Sequence, residues 1–388
     1  MTHAPRITIS RGTEIVEGEH MITDTIILAG GFGERLWPAS SPALPKQFMT
    51  LHDGCSFFQA SLYRAWSVNK NGTITVVTRK DLVATCVEHC TSLARQFSAV
   101  EREHFLQALC IVAEPCPRHT APAILLATYL VQKKHPETNR TVLVLTSDHV
   151  IEPVEAFVAD CQKAAAAAES GFLVCFAIPP TEPSTGYGYI KTGEPLFNLQ
   201  HTFLIDYFKE KPDAHTAAQY LAAGNFWWNS GTFAFTAKDF DANVQLYAPN
   251  IYASFEAIRR AAVPVVQEYE GISVVETWPE METVYSVVPA VAVDVAIMEK
   301  TNRACAVRAS FHWTDVGSWD TFSSLASSHS APRVVQIEST ENFVYSDIPV
   351  ALCGVDNLVV VVKNNNVLVM KKGAGALVRE AAQKMQLS

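Results

Sequence analysis

Two periods of hydrophobic and polar residues alternate along the first half of the chain. Short apolar runs rich in β-branched residues, at 24–29, 73–78, 108–113, 141–146 and 172–178, predict buried strands. Between them lie segments of helical length near 56–68, 80–96, 120–134 and 154–169, the last carrying the alanine-rich "KAAAAAES". This βαβα rhythm predicts an α/β fold whose mixed, mainly parallel sheet is flanked by helices on both faces. Ligands of such sheets gather at the carboxyl ends of the strands. After residue 180 the rhythm breaks into glycine- and proline-rich hairpin sequence, followed by helices to about 325. From about 335 the texture changes again. "NFVYSDIPVALCGVDNLVVVVKNNNVLVMKKG" is a string of short strands punctuated by turn residues, with no room for a helix until 374–385. The chain therefore divides into a large unit over 22–330 and a small β unit with a C-terminal helix over 335–388.

Composition narrows the class. With 388 residues, 48% hydrophobic and 18% charged, the chain has a full core and too few charges for disorder. A net charge of -9 argues against a nucleic-acid partner. No apolar run approaches the roughly 20 residues of a membrane span. The polar, acidic stretch from Met1 to Met21 has no apolar core of a signal peptide. The nine cysteines are odd in number and lack framework spacing, which fits reduced thiols and a cytoplasmic location. Cys86, His89 and Cys90 have no second ligand pair at zinc-site spacing, and are expected on a helix with both cysteines on its buried face.

The chemistry starts at "IILAGGFGERLWPASSPALPKQF" (26–48), a strand that runs into glycines. A dinucleotide-binding turn needs a third glycine and a following helix, yet Leu36 stands at the glycine position. Pro38, Pro42 and Pro45 cannot propagate a helix, and the Gly-Lys-Ser/Thr of a Walker loop is absent. The loop can offer the backbone N–H groups of Gly30, Gly31 and Gly33 to a phosphate without a helix dipole behind them. Cationic side chains must then supply the positive charge, and Arg35 and Lys46 are placed to do so.

This segment resembles the signature of the sugar-nucleotide nucleotidyltransferases, and its Leu-Trp-Pro-x-Ser and Pro-Lys-Gln-Phe elements resemble the mannose-1-phosphate guanylyltransferase (GDP-mannose pyrophosphorylase) family. Further blocks match in the family's order: "EPCPRHTAPAI" (114–124), "TSDHVI" (146–151), "STGYGYI" (184–190), "FKEKPD" (208–213), "WWNSGTFAF" (227–235), "VDVAIMEKT" (293–301) and "WTDVGSWD" (313–320). They cover residues 24 to about 320. The resemblance implies a Rossmann-like, GT-A-like catalytic domain and, for the tail, a short left-handed β-helix.

The reaction it implies joins GTP and mannose 1-phosphate into GDP-mannose and pyrophosphate, with Mg²⁺ or another divalent cation. The attacking group is a phosphate monoester, whose second pKa of about 6 leaves it largely dianionic at neutral pH. It needs no general base, so no histidine or serine nucleophile is expected. The obstacle is electrostatic, and positioning, metal and fixed cations must overcome it. Asp148, at the end of the strand "TVLVLTS", and Asp294, at the family's second acidic position, are the expected metal ligands. With Arg35, Lys46 and Lys211 they form the expected catalytic set. Leu28, Ala29, Gly30, Gly31, Gly33, Arg35, Lys46, Glu114, Arg118, Thr120 and Asp148 are assigned to the nucleotide. Gly186, Glu210, Lys211, Asn229 and Asp294 are assigned to the sugar phosphate, while His149, Trp227 and Trp228 are expected to line or pack.

The sequence departs from the family pattern at Ser41, His119, Thr146-Ser147 and Val295, which bears on base choice and turnover rather than on reaction class. It is also expected to lack the isomerase domain of the longer bifunctional members. Another hexose 1-phosphate, such as glucose 1-phosphate, stands as the alternative acceptor, and a non-catalytic regulatory protein on the same fold as the alternative class. A homodimer is expected through the tail, on the ground that its valines 359–362 would be left partly uncovered in a monomer.

Overall fold

The computed structural model describes residues 20–31, 34–50, 54–196, 199–326 and 330–386. An 11-stranded sheet organises the larger part of the chain. In spatial order its strands are Gln267–Tyr269, Ile272–Val275, Leu109–Glu114, Thr73–Arg79, Asp24–Leu28, Thr141–Thr146, Phe226–Thr236, Leu173–Ile178, Ala304–Arg308, Thr202–Lys209 and Tyr189–Pro195. The strands from Ile272–Val275 to Thr141–Thr146 are mutually parallel; Phe226–Thr236 runs against them and pairs antiparallel with both of its neighbours. The sheet is thus mixed, with one parallel half, as the βαβα pattern predicts.

The central strands are apolar on both faces because both faces are covered. One core packs Ile27, Val76, Ile111 and Leu145 against the helices Phe57–Val68, Val83–Ala94 and Val154–Glu169. The other packs Ile26, Val77, Val112 and Val144 against Thr120–Lys134 and Ala237–Tyr247. Thr120–Lys134 is buried from Ala121 to Val131, which explains why it reads as apolar all round rather than amphipathic. The helix Phe57–Val68 starts at a capping box in which Ser56 and Gln59 each bond the other's backbone N–H.

Some elements depart from expectation. The segment 80–96 opens as a 3₁₀ turn, Lys80–Leu82, before the helix Val83–Ala94. A helix over Ala99–Ala108 has no counterpart in the pattern, because Phe105 is its one buried residue and no apolar stripe marks it. Among the described residues from 34 to 50 there is no α-helix: Glu34–Leu36 and Lys46–Phe48 are single 3₁₀ turns, as the prolines require.

The tail is a β-helical layer in which Val334–Ile337 pairs with Val350–Cys353 and Phe343–Ser346 with Leu358–Lys363, all parallel, and Asn366–Lys371 closes the second sheet antiparallel. Val359, Val360 and Val361 are buried there and Val362 is half-buried, so of the string expected to be left partly uncovered only its last valine is. Successive residues of Leu358–Lys363 face two cores: Val359 and Val361 pack with Trp319, Phe322 and Phe343, while Val360 packs with Val344 and Leu352. The same core takes in Leu36 and Ala39, so the tail seats the proline-rich segment after the glycine loop. Trp319 Nε1 donates to Trp37 O at 2.8 Å, Asn364 Nδ2 donates to Pro38 O at 3.0 Å, and the Asp320 carboxylate accepts from Gly373 and Gly375.

Trp319 anchors this junction, with no exposed surface and its ring 5.1 Å from Phe322 and 5.4 Å from Tyr345. Trp319→Ala is expected to cost about 3–5 kcal/mol in chemical denaturation of the full chain. Ile337→Ala, at an exposed position, should stay within about 0.5 kcal/mol. A Trp319→Ala cost below about 1 kcal/mol would remove Trp319 as the anchor.

Candidate active site

Leu28 ends the central strand level with Val77 on one side and Thr146 on the other. The loops that follow these strands therefore emerge at one edge, where two adjoining chambers share Leu28, Thr120 and Thr146. The first, about 470 Å³, is lined by Leu28, Gly30, Gly31, Gln47, Glu114, Arg118, His119, Thr120 and Asp148, among others. The second, about 220 Å³, is lined by Arg35, Gly186, Tyr187, Glu210, Lys211, Asn229, Asp294 and Asp315, among others. Most residues assigned to the nucleotide line the first cavity and those assigned to the sugar phosphate the second, but Arg35, assigned to the nucleotide, lines the second, and Ala29 and Lys46 line neither. A cavity of about 530 Å³ around Tyr129, Lys133 and Lys238 contains none of them. Its Tyr129 hydroxyl and Lys133 ammonium are already bonded within the protein.

The backbone of the glycine loop is held from below. Ala29 O accepts from Gln47 Nε2 and Thr78 Oγ1, each at 3.0 Å, and Gln47 also reaches Gly31 O at 3.3 Å. A Cβ on Gly30 would stand 3.3 Å from Glu114 Oε2, so the carboxylate closes directly over the loop. Gly33 lies outside the described residues. Lys46 has a side chain only 6% exposed and gives its ammonium to Asp148 Oδ2 at 3.0 Å and to the carbonyl of Asp315. Arg35 is exposed and 3.6 Å from Asp315 Oδ2. Burial alone would raise the Asp148 carboxyl, but the charge and hydrogen bond of Lys46, with Arg35 farther off, hold it below its ordinary value.

Glu114 sits at the end of its strand, accepts the Tyr285 hydroxyl at 2.8 Å, and is pushed by burial up to about 7, the Tyr285 bond working the other way. Arg118 spends its Nε on Tyr285 O at 2.7 Å and so ties helix Pro279–Val287 to the chamber. Thr120 Oγ1 accepts from Val293 N at 2.8 Å, fixing the turn that presents Asp294. His119 has φ 59 and ψ -171, a region costly for any side chain, where the family resemblance has asparagine.

On the sugar side Asp294 opens a single π turn, Asp294–Met298, a feature frequent at functional sites. Burial, with the neighbouring Glu210 carboxylate second, raises Asp294 to about 6. Asn229, assigned to sugar hydroxyls, gives its amide to Asp294 Oδ1 at 2.8 Å, so in this structure it orients the acid. Lys211 is exposed, pairs with Glu210, and has φ 43, an uncommon conformation for a residue with a side chain. His149 is held neutral, its pKa lowered by burial to about 4 against the pull of Asp148, and accepts the Trp313 indole N–H at 3.1 Å. Among the described residues no group of three or more His, Cys, Asp or Glu is arranged to hold a metal by itself. The donor set fits a hard cation such as Mg²⁺ nevertheless: Asp148 and Asp294 are carboxylates on neighbouring chambers, and Mg²⁺ takes one or two carboxylates and completes its shell with phosphate oxygens and water.

Sequence reasoning passed over Gln47, Tyr187, Tyr285 and Asp315. Gln47, Tyr187 and Asp315 stand inside the matched blocks, so a signal was present; Tyr285, on the helix Pro279–Val287, carries none.

A nucleotidyl transferase family model matches residues 24–330, and a MannoseP isomerase/GMP-like beta-helix domain model matches 332–385. The chain belongs to the nucleotidyl transferase family. Within it, the chain is 32% identical over 375 residues to mannose-1-phosphate guanylyltransferase of Escherichia coli, covering 94% of this chain and 75% of that protein. It is 34% identical over 377 residues to mannose-1-phosphate guanylyltransferase of Salmonella montevideo, covering 95% and 74%. A crystal structure described as mannose-1-phosphate geranyltransferase from Thermus thermophilus superposes with a TM-score of 0.76 at 28% identity, covering 94% of this chain and all of that one. A Helicobacter pylori mannose-6-phosphate isomerase structure, at 23% identity and a TM-score of 0.61, shares the fold. Among the described residues no helix is long and apolar enough to cross a membrane.

Glu114 yields a pH prediction. Its pKa is raised in the folded state, so the native protein binds its proton more tightly than the unfolded chain does. The stability this contributes is complete below the unfolded value and is lost as pH rises through about 7. Between about pH 4.5 and 8 the wild type should lose on the order of 2–3 kcal/mol relative to Glu114→Gln, at about 1.4 kcal/mol per unit. Parallel stability curves for the two proteins would show that the carboxyl titrates normally.

Proposed function

We propose that this chain transfers GMP from GTP to mannose 1-phosphate, giving GDP-mannose and pyrophosphate. The observation that carries the reading is the pair of touching chambers at the carboxyl edge, one roofed by Glu114 over the glycine loop and one lined by Lys211, Glu210 and Asp294. The names of the relatives supply the two substrates. On this reading residues 22–330 are the catalytic unit and 335–388 a β-helical unit, and the protein works in the cytoplasm.

An oxygen of the sugar phosphate attacks the α-phosphorus of the triphosphate in line with the bond to the β-phosphate, which breaks to release pyrophosphate. Lys211 holds the attacking phosphate, and Lys46 and Arg35 hold the triphosphate and the charge that gathers on departing pyrophosphate. Lys46 bonds two protein oxygens and keeps a third N–H for phosphate. No side chain needs to take a proton from the dianionic nucleophile, in keeping with the neutral state of His149. Bound at Asp148 and Asp294, Mg²⁺ or another divalent cation would neutralise phosphate charge between the chambers. Glu114 faces the nucleotide chamber as an acceptor suited to the N–H groups of guanine.

Pyrophosphate release measured over a grid of nucleoside triphosphates and sugar 1-phosphates, with Mg²⁺, tests the assignment. GTP with mannose 1-phosphate should be the fastest pair. Faster turnover with glucose 1-phosphate would reassign the sugar, and no turnover with any pair would favour a regulatory role. Lys211→Ala should raise the apparent KM for the sugar phosphate by the equivalent of about 1.5–3 kcal/mol and leave the triphosphate nearly unaffected. Lys46→Ala should lower kcat and weaken triphosphate use. Asp148→Asn and Asp294→Asn should fold yet lose most turnover, with partial rescue by excess Mg²⁺. The opposite substrate pattern for the two lysines would reverse their assignment.

The homodimer through the tail is also retained as part of this reading, on different residues. Asn366–Lys371 is the last strand of its sheet, and Val367 and Val369 on it are exposed. Sedimentation should show a dimer for the full chain and a monomer for the Val367→Glu, Val369→Glu variant. A wild-type monomer at micromolar concentration would end the dimer proposal.

A further inference from the structure

The turn that carries Glu210 and Lys211 is gripped from a second element by a residue to which no substrate is assigned. Glu299 Oε1 accepts the backbone N–H of Glu210 at 3.0 Å and the ammonium of Lys209 at 3.2 Å. An ion pair with Lys209 alone would be ordinary surface chemistry. The bond to the Glu210 amide is of another kind. That amide lies just past the strand Thr202–Lys209, and it belongs to a residue that lines the sugar chamber. Glu299 lines neither chamber.

The π turn brings Glu299 to this amide. Glu299 N donates to Asp294 O at 2.9 Å, the bond between residues five apart that closes the turn Asp294–Met298. In an α-helix, with 3.6 residues per turn, positions five apart point about 140° away from each other. The wider turn takes in one more residue, and both acids at its ends meet the segment 209–211. Glu299 does so through its two hydrogen bonds, and Asp294 through the charge of Glu210, which adds to the rise in its pKa. The gripped turn is also one that needs holding. Lys211 sits at φ 43, and a conformation of that kind persists where the surroundings fix it. Gly188 leaves room for the Glu210 carboxylate, since a Cβ there would lie 2.7 Å from Glu210 Oε2. On the far side Asp213 accepts from Thr216 N at 2.8 Å and caps the helix Ala214–Ala223.

We propose that Glu299 is a positioning residue for the sugar phosphate: through the Glu210 amide it fixes the Glu210–Lys211 turn against Asp294, and it touches neither substrate. The proposal rests on the reading of this chamber as the sugar-phosphate site.

The experiment compares Glu299→Ala, Glu299→Gln, Glu299→Asp, Lys209→Met, Lys211→Ala and the double variant Glu299→Ala, Lys211→Ala in the full chain. Each is assayed for kcat and both KM values with GTP and mannose 1-phosphate, and for hydrogen exchange of segment 208–213 with no substrate added. Glu299→Ala should raise the KM for mannose 1-phosphate about tenfold, the equivalent of one hydrogen bond to a charged group, and leave that for GTP nearly unchanged. Its segment 208–213 should lose protection. Glu299→Gln keeps the reach and the acceptor but not the charge, and Lys209→Met removes only the ion pair, so both should stay within about twofold of wild type. Glu299→Asp keeps the charge but withdraws the acceptor by one methylene, and should move in the direction of alanine. Because Glu299 acts partly through Lys211, Glu299→Ala should cost less in the Lys211→Ala background than in wild type.

An unchanged KM for mannose 1-phosphate in Glu299→Ala, or an equal rise in both KM values, would overturn the proposal. So would Lys209→Met matching Glu299→Ala, or the same factor for Glu299→Ala in both backgrounds. If Glu299→Ala does not fold, Glu299→Asp against Glu299→Gln carries the comparison, and a glutamine variant worse than the aspartate overturns it. A wild type inactive with GTP and mannose 1-phosphate would sink the substrate assignment instead. The grip is then judged on exchange, where unchanged protection of 208–213 in Glu299→Ala or Glu299→Asp overturns it.

Discussion

A lysine ammonium buried to 6% exposure is the constraint around which this edge of the protein is arranged. Lys46 is stable there because two oxygens meet it, the Asp148 carboxylate and the Asp315 carbonyl, which come from loops far apart in the chain. Removing one of these oxygens would leave the buried ammonium with less compensation for its charge. The glycine-loop segment, the strand Thr141–Thr146 and the strand His312–Thr314 therefore cannot be placed independently of one another. The proline-rich stretch between Arg35 and Lys46 makes sense in the same terms, since it carries the lysine to this point without a helix whose dipole would duplicate the lysine's charge.

The acids show how the two chambers differ. Asp148 is kept below its ordinary pKa by the cation beside it, and is charged at neutral pH. Glu114 and Asp294 are raised by burial instead, Asp294 also by Glu210, and neither has a close cation to offset this fully. Burying acids in that state costs stability as the pH rises, and the cost is recovered when a partner with N–H groups or positive charge arrives. Asn229 and Tyr285 limit the cost by donating one hydrogen bond to each acid while fixing its orientation. Both side chains act on the acids they face.

The tail contributes through packing. Its valines form a wall on one face of Leu358–Lys363 against Trp319, Phe322 and Phe343, and that core reaches Leu36 and Ala39 beside the glycine loop. The hydrogen bonds from Trp319 to Trp37 O and from Asn364 to Pro38 O hold the loop's exit from outside the sheet. Val316, next to Asp315 in the chain, is buried in the same core at positive φ. A β unit with no predicted site residue of its own thus bears on the geometry of the site.

The sequence by itself determined the βαβα core, because strands covered on both faces and helices with continuous apolar surface leave strong periodic signals. Thr120–Lys134, Val154–Glu169 and Thr141–Thr146 fall where the pattern puts them. It also determined which residue types gather at the carboxyl edge, since the glycines, Arg35, Lys46 and Asp148 all follow strand ends or breaks. The polar helix Ala99–Ala108 escaped because a surface helix with a single buried residue has no stripe to read. The tail's valines misled because one face of a strand looks exposed until the second core that covers it is known. Tertiary structure alone decided which acid meets which cation, that Asn229 serves Asp294 and Arg118 the helix bearing Tyr285, and that Asp315 joins Tyr187, Arg35 and Lys46. Those contacts join parts of the chain that are far apart in sequence, and no local periodicity records a partner at that distance.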